Sequence, residues 1–190
     1  HREEPQRRDG WGEDELHSLT GVGVLSKDGL EGYILDDDAV GLQWMNNNFE
    51  RGELTFEFTG YDEPYVSIVV EDAKSKVTPI VENGQILFDI EVKLKVQTSE
   101  SNDTNDETMQ KLQRGIEKKV KQEIEKTYMA SLEKKIDIYR LSEVAFRKKL
   151  KVWKDVEEEG KVPLTESSIR NLNVSIERLI TERTSASKQY

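Results

Sequence analysis

"VTPIVENGQILFDIEVKLKV", residues 77 to 96, decides how this chain folds. Its centre, Asn83-Gly84, is the strongest hairpin signal in the sequence. A two-residue type I′ turn needs positive φ at both central positions, and Asn and Gly adopt it at least cost. Beyond the turn, Ile86, Phe88, Ile90, Val92, Leu94 and Val96 hold a strict period of two, with Leu87 the only apolar residue between them. Successive strand residues point to opposite faces, so the spacing predicts one long strand, apolar on one face and charged on the other. Asp89, Glu91, Lys93 and Lys95 form the charged face. Such a strand belongs in a sheet with one side buried and the other in water or under a polar cover.

The sequence upstream carries more strands. Val22 and Val24 alternate, "KDG" at 27–29 offers a turn, and Leu30 to Leu35 resumes an apolar segment, which together predict a hairpin. Leu54, Phe56 and Phe58 alternate with polar residues, as do Val66, Ile68 and Val70, and Val77 to Val81 leads into the Asn-Gly turn; these predict three further strands. Between hairpin and meander stand three aspartates, Asp36-Asp37-Asp38, followed by Val40 and Trp44, four apart, with Leu42 and Met45 on their flanks. Aspartate caps helix starts and complements the helix dipole, so a short helix is expected here, ending at Asn46-Asn47-Asn48. A calcium loop would need acids at alternate positions, a central Gly and a Glu at the twelfth position, and that spacing is missing.

Downstream, the solvated loop "TSESNDTNDET", 98–108, breaks the long strand. Met109, Leu112, Ile116, Val120, Ile124, Tyr128, Leu132 and Ile136 then recur almost always every four residues, among opposite charges such as Glu117 with Lys121. At about 100° per residue, a step of four advances the apolar stripe by about 40° each time, so it winds around the helix. A coiled coil needs steps of three and four in alternation. A long helix lying across a twisted sheet fits better. "DIYRLSEVAFRKKLKVWKDVEEE" predicts a second helical region with Leu141, Val144, Ala145, Leu150 and Trp153 inward, ended by Gly160 and Pro163. "SSIRNLNVSIERLIT", 167–181, alternates as a final strand. The expected architecture is α+β: a mixed, largely antiparallel sheet with a long helix packed across one face and shorter helices. Residues 1–18 are expected to form a linker or arm from a preceding domain, 19–182 the domain, and 183–190 a flexible tail.

Composition narrows the function. The chain has 190 residues, net charge −10, 35% charged and 35% hydrophobic residues, and no cysteine; its mean hydropathy is −0.74. Without cysteine there are no disulfides, thiolate nucleophiles or zinc-thiolate sites. Only His1 and His17 are available for a triad or a histidine metal site, and both sit in the polar N-terminal stretch. Apolar runs are far short of the roughly 20 residues that cross a bilayer, and no stretch reads as an amphipathic membrane helix. Residues 1–106 carry 24 acids and 9 bases, net −15, and residues 107–190 carry 14 acids and 19 bases, net +5. The acidic field argues against nucleic acid. The split suits a chain whose halves attract each other or which orients against a charged surface.

The order of elements, with its spacings, resembles the C-terminal domain of the C subunit of bacterial spore germinant receptors, the Ger(x)C lipoproteins. "GVGVLSKDGLEGYILDDDAVGLQWM" matches the family's G-x-A-V-F-x-x-D-x-L-x-G-x-L and G-L-x-W-L segments. "VTPIVENGQILFDIEVKLKV" matches its K-I-x-P-x-x-x-x-G-x-x-x-F-x-I-x-V strand pair, and "LEKKIDIYRLSEVAFRKKLKVWK" its D-I-F-G-F-G-E-x-x-x-R-x-x-P-x-x-W. The likeness spans about residues 20 to 182. Departures are local: Tyr139-Arg140-Leu141-Ser142 replaces the stretch with the glycine pair, and the Pro before the last Trp is replaced near Lys149-Leu150. The resemblance implies a subunit with no known catalysis, held at the outer face of the spore inner membrane by an upstream lipidated cysteine and acting with the integral A and B subunits. The anchor and preceding domains are expected to lie upstream of this chain, which by itself is expected to be monomeric.

The resulting expectation is an accessory, scaffolding domain that is not an enzyme and takes no cofactor or metal. Its candidate partner-binding residues are Trp11, Asp89, Glu91, Lys93 and Lys95. Two other readings compete: a solute- or cation-binding module using the acidic N-terminal half, and a hydrolase pairing carboxylates among Asp36, Asp37 and Asp38 with a facing acid such as Glu31. Acids at a helix start are held ionised and exposed, which suits capping better than proton donation.

Overall fold

In a computed structural model of the chain, the described residues are 21–26, 29–47, 49–50, 52–57, 65–99 and 106–182. Strands β1 (Gly21–Ser26) and β2 (Gly29–Leu35) pair antiparallel as a sheet of their own. A 3-10 turn at Asp36–Asp38 leads to helix α1 (Leu42–Met45). Then come β3 (Gly52–Glu57), β4 (Tyr65–Glu82), β5 (Gln85–Ser99), helices α2 (Asp106–Glu133), α3 (Leu141–Lys148) and α4 (Leu150–Val156), and β6 (Ile169–Glu182). The main sheet has the order β3-β4-β5-β6. Its first three strands are antiparallel, and β6 joins β5 in parallel after the helical excursion.

The long hairpin forms as its residues require. Asn83 and Gly84 take φ of 51° and 74°, the left-handed pair a type I′ turn demands. On β5, Ile86, Phe88, Ile90, Val92, Leu94 and Val96 are all buried, while Glu91 and Lys93 are exposed. On β4 the buried positions change parity: Ile68 and Val70 are even, Ala73 and Pro79 odd. A bulge causes this. Val70 faces Val96 and Asp72 faces Lys95, so Glu71 is the extra residue and the alternation flips behind it. The Val66–Val70 and Val77–Val81 segments, read from sequence as two strands, are therefore one strand of 18 residues. A second irregularity, between Leu94 and Lys95 in the pairing with β6, accompanies the change from Ile176 to Leu179.

Helix α2 covers the apolar face. Its buried side chains Leu112, Ile116, Val120, Ile124 and Tyr128 follow the four-residue step, and the helix lies against β6 and α1. Burying each aliphatic side chain contributes about 1.5–3 kcal/mol, so this stripe is a main source of stability. The helix stops at Glu133, short of Ile136. Lys135 takes φ of 56°, its amide bonds Leu132 O at 3.0 Å, and the amide of Ile136 bonds Ser131 O at 2.9 Å. That is a Schellman ending, with lysine where glycine is usual.

Helix α1 meets α2 at close range. A Cβ at Gly41 would lie 2.4 Å from Glu123 O and 2.7 Å from Ile124 Cα, so only glycine fits. The Gly41 amide donates to the buried Thr127 Oγ1 at 2.7 Å. Trp44, 1% exposed, donates its indole N–H to Glu123 Oε2 at 2.7 Å and stacks on Phe49. The three aspartates behave otherwise than the sequence suggests: they form the 3-10 turn, and α1 starts from Gly41 with no side-chain cap. The tight approach is at the N-cap, Gly41, three residues beyond the last aspartate, Asp38.

The second helical region is two helices. Asp137 accepts from the amides of Leu141 and Ser142, both at 2.8 Å, and so caps α3 from three residues before its N-cap. The intervening Arg140 is left-handed, with φ of 53° and ψ of 41°. It occupies the first glycine of the family pattern D-I-F-G-F-G-E, so the turn survives without that glycine. Ser142 stands at the second, and its Oγ accepts from Val162 N at 2.8 Å. At Lys149, φ of −136° and ψ of 49° break the helix. The break resets the phase, so Leu150 is 40% exposed and leaves the inner face where the sequence reading placed it.

Candidate partner-binding surface

The sheet face turned away from the helices is the candidate surface. Register places Asp72 opposite Lys95, Lys74 opposite Lys93, Lys76 opposite Glu91 and Thr78 opposite Asp89. On the other side of β5, Asn171, Asn173, Ser175 and Arg178 of β6 pair with Asp89, Glu91, Lys93 and Lys95. The face is thus a mixed-charge grid with β5 at its centre.

Its members differ in what they are free to do. Asp89 accepts from Arg170 Nε at 3.0 Å, Arg170 Nη2 at 2.6 Å and Asn171 Nδ2 at 3.1 Å. The fork-shaped guanidinium bond holds the Asp89 carboxyl below its ordinary range, against a smaller opposing effect of partial burial. Arg170 also reaches Glu82 at 3.7 Å. Asp89 is therefore committed to locking β6 onto β5. Glu91 and Lys93 form only a loose pair at 3.7 Å along the strand, about half exposed each. Lys74, 70% exposed, sits 4.0 Å from Asp72. Exposed pairs of this kind contribute little to stability. Lys74 and Lys93, directly opposite each other, repel.

Of the residues proposed from sequence, Glu91, Lys93 and Lys95 lie together on this face, Asp89 is beside them but internally engaged, and Trp11 lies outside the described residues. Sequence reading missed Lys74 and Lys76. Their strand changes parity at the bulge, so a count from Val70 assigns them to the wrong face, although a count back from the Asn-Gly turn places them correctly. Asp37 is exposed and Asp38 half-buried, while the side chains of Asp36 and Glu31 are outside the described ones. Among the described residues, no three His, Cys, Asp or Glu side chains converge to hold a metal ion. No helix among them is long and apolar enough to cross a membrane.

An α+β domain with helices on one face of a mixed sheet and a charged grid on the other defines the class. The family model "Spore germination B3/ GerAC like, C-terminal" matches residues 20–182, and the chain belongs to that family. Spore germination protein B3 of Bacillus subtilis (strain 168) is 24% identical over 111 residues, 55% of this chain and 29% of that protein. The solved structure "Crystal Structure of the GerBC protein" superposes with a TM-score of 0.60 at 20% identity, over 86% of this chain and 51% of that one. The likeness supports the α+β fold, and the chain spans under a third of the curated relative's length and about half of the solved one.

Proposed function

We propose that this chain is the accessory, non-enzymatic C-terminal domain of a germinant receptor C subunit, serving spore germination through contacts with the integral A and B subunits. In the complete protein it sits at the outer face of the spore inner membrane, held by an upstream lipid anchor. Family membership supports the setting, and one observation carries the contact surface: two exposed lysines, Lys74 and Lys93, stand opposite each other across the strands, each only loosely paired with an acid on its own strand. A cross-strand like-charge pair costs stability, and an acidic partner seated on this face would offset that cost. Glu91, Lys93 and Lys95, with Lys74 and Lys76, make the contact, whereas Asp89 acts inside the domain. Pull-down of the chain by the ectodomain of the A subunit tests the reading. Capture that is lost in K74E/K93E, with melting unchanged, supports it, and equal capture of the variant refutes it.

A further inference from the structure

The segment 146–154, "FRKKLKVWK", carries five cations and no acid. It spans the end of α3, the break at Lys149 and most of α4. Two of its apolar side chains are turned outward, Phe146 at 47% exposure and Leu150 at 40%. The Phe146 ring meets Trp153 edge to face at 4.9 Å, and Trp153 is half-buried. Lys148 reaches back to Val77 O at 3.4 Å. Among the described residues, Arg147, Lys149, Lys151 and Lys154 form no ion pair, although Glu143 and Asp155 lie on the same helices and Glu157, Glu158 and Glu159 follow directly after α4.

The break at Lys149 creates this arrangement. Leu141, Ser142 and Ala145 fill the inner face of α3, whereas no residue of α4 is fully buried. Single exposed apolar residues are ordinary. No single stretch of sequence reads as an amphipathic membrane helix. But the break at Lys149 holds an aromatic and a leucine from two helices outward among unpaired cations, a pattern that suits the boundary between lipid headgroups and acyl chains. The exposed apolar area is only a few side chains, much less than the roughly 1,000 Å² a stable protein interface buries. A bilayer needs no matching shape. Each cation near an anionic leaflet contributes about 1 kcal/mol.

We propose that the α3–α4 elbow docks on an anionic lipid bilayer, with Phe146 and Leu150 entering the headgroup layer and Arg147, Lys149, Lys151 and Lys154 on lipid phosphates. This depends neither on a lipid anchor nor on partner contacts through the sheet face. Flotation of the unlipidated 190-residue chain with phosphatidylcholine vesicles, with and without phosphatidylglycerol, tests it. The chain binds only the vesicles containing phosphatidylglycerol and is released by high salt. K149E/K151E/K154E lowers the partition coefficient at least about a hundredfold. F146S/L150S lowers it several-fold, and both variants melt as the parent does. The proposal is overturned by no binding to anionic vesicles, by equal binding to phosphatidylcholine alone, or by an unchanged K149E/K151E/K154E variant. Binding to poly-glutamate without binding to vesicles would assign the elbow to an acidic protein partner and overturn it equally.

Discussion

Replacing Gly41 by alanine separates two opposite outcomes. Gly41 has φ of −72° and ψ of −20°, a conformation that alanine adopts freely. If space were available, G41A would stabilise the fold by about 0.4–1 kcal/mol, because alanine restricts the unfolded chain. The neighbours forbid it: the new Cβ would sit 2.4 Å from Glu123 O and 2.7 Å from Ile124 Cα, both backbone atoms of a packed helix. Restoring ordinary contact moves α1 from α2 by about 1 Å, and overpacking of this kind costs about 1–3 kcal/mol. The same movement stretches the 2.7 Å bond from Gly41 N to Thr127 Oγ1 and the 2.7 Å bond from Trp44 to Glu123. Leaving a buried group unpaired costs about 1–3 kcal/mol, and these losses overlap, so a total of about 3–5 kcal/mol is expected. Urea unfolding followed by tryptophan fluorescence reads the change as a lower midpoint at unchanged slope. A G41A protein as stable as the parent, or more so, would refute the close packing of α1 on α2.

Other substitutions test the turns and the buried hydroxyls. K135G and R140G each relieve a left-handed residue, with φ of 56° and 53°, and each should raise stability by about 1 kcal/mol in the same urea assay. D137A removes the acceptor for the amides of Leu141 and Ser142 and should lower stability by about 1–2 kcal/mol. Burial pushes the Tyr128 hydroxyl from its ordinary 10 to about 12 and raises that of Tyr139 as well. The unfolded tyrosines lose their protons first, so this stability is intact below their ordinary pKa of about 10 and is lost as pH rises through 10 toward 12. The slope reaches about 1.4 kcal/mol per pH unit for each tyrosine. Y128F and Y139F should flatten it in alkaline melting curves.

What could be read from the residues depended on how local the determining physics is. The β5 strand and the Asn83-Gly84 turn were legible because period two and positive φ are properties of the segment itself. The fourfold stripe of α2 likewise placed the helix across the sheet. Its end was not legible: Lys135 terminates it without glycine, and only the bonds to Ser131 and Leu132 reveal the motif. The joining of β4 across Glu71 was hidden because one extra residue looks like a lost alternation. Asp137 caps from a distance, and the aspartates at 36–38 invite a cap they do not make. The candidate surface was half legible. Its β5 members followed from alternation, but the engagement of Asp89 by Arg170 required β6 alongside, 81 residues away.

The parallel seat of β6 beside β5 governs when this domain can become whole. Everything from α2 through α4 is synthesised before the strand that flanks β5 on its far side, Ile169–Glu182, leaves the ribosome. Until then the edge of β5 is bare and the helix stripe lacks the strand it rests on, so the nascent chain exposes sticky surface throughout that interval. Local hairpins form early, while the closing contact spans a long loop and comes late. A nascent chain stalled before Ile169 should therefore engage chaperones, and release should coincide with emergence of that strand.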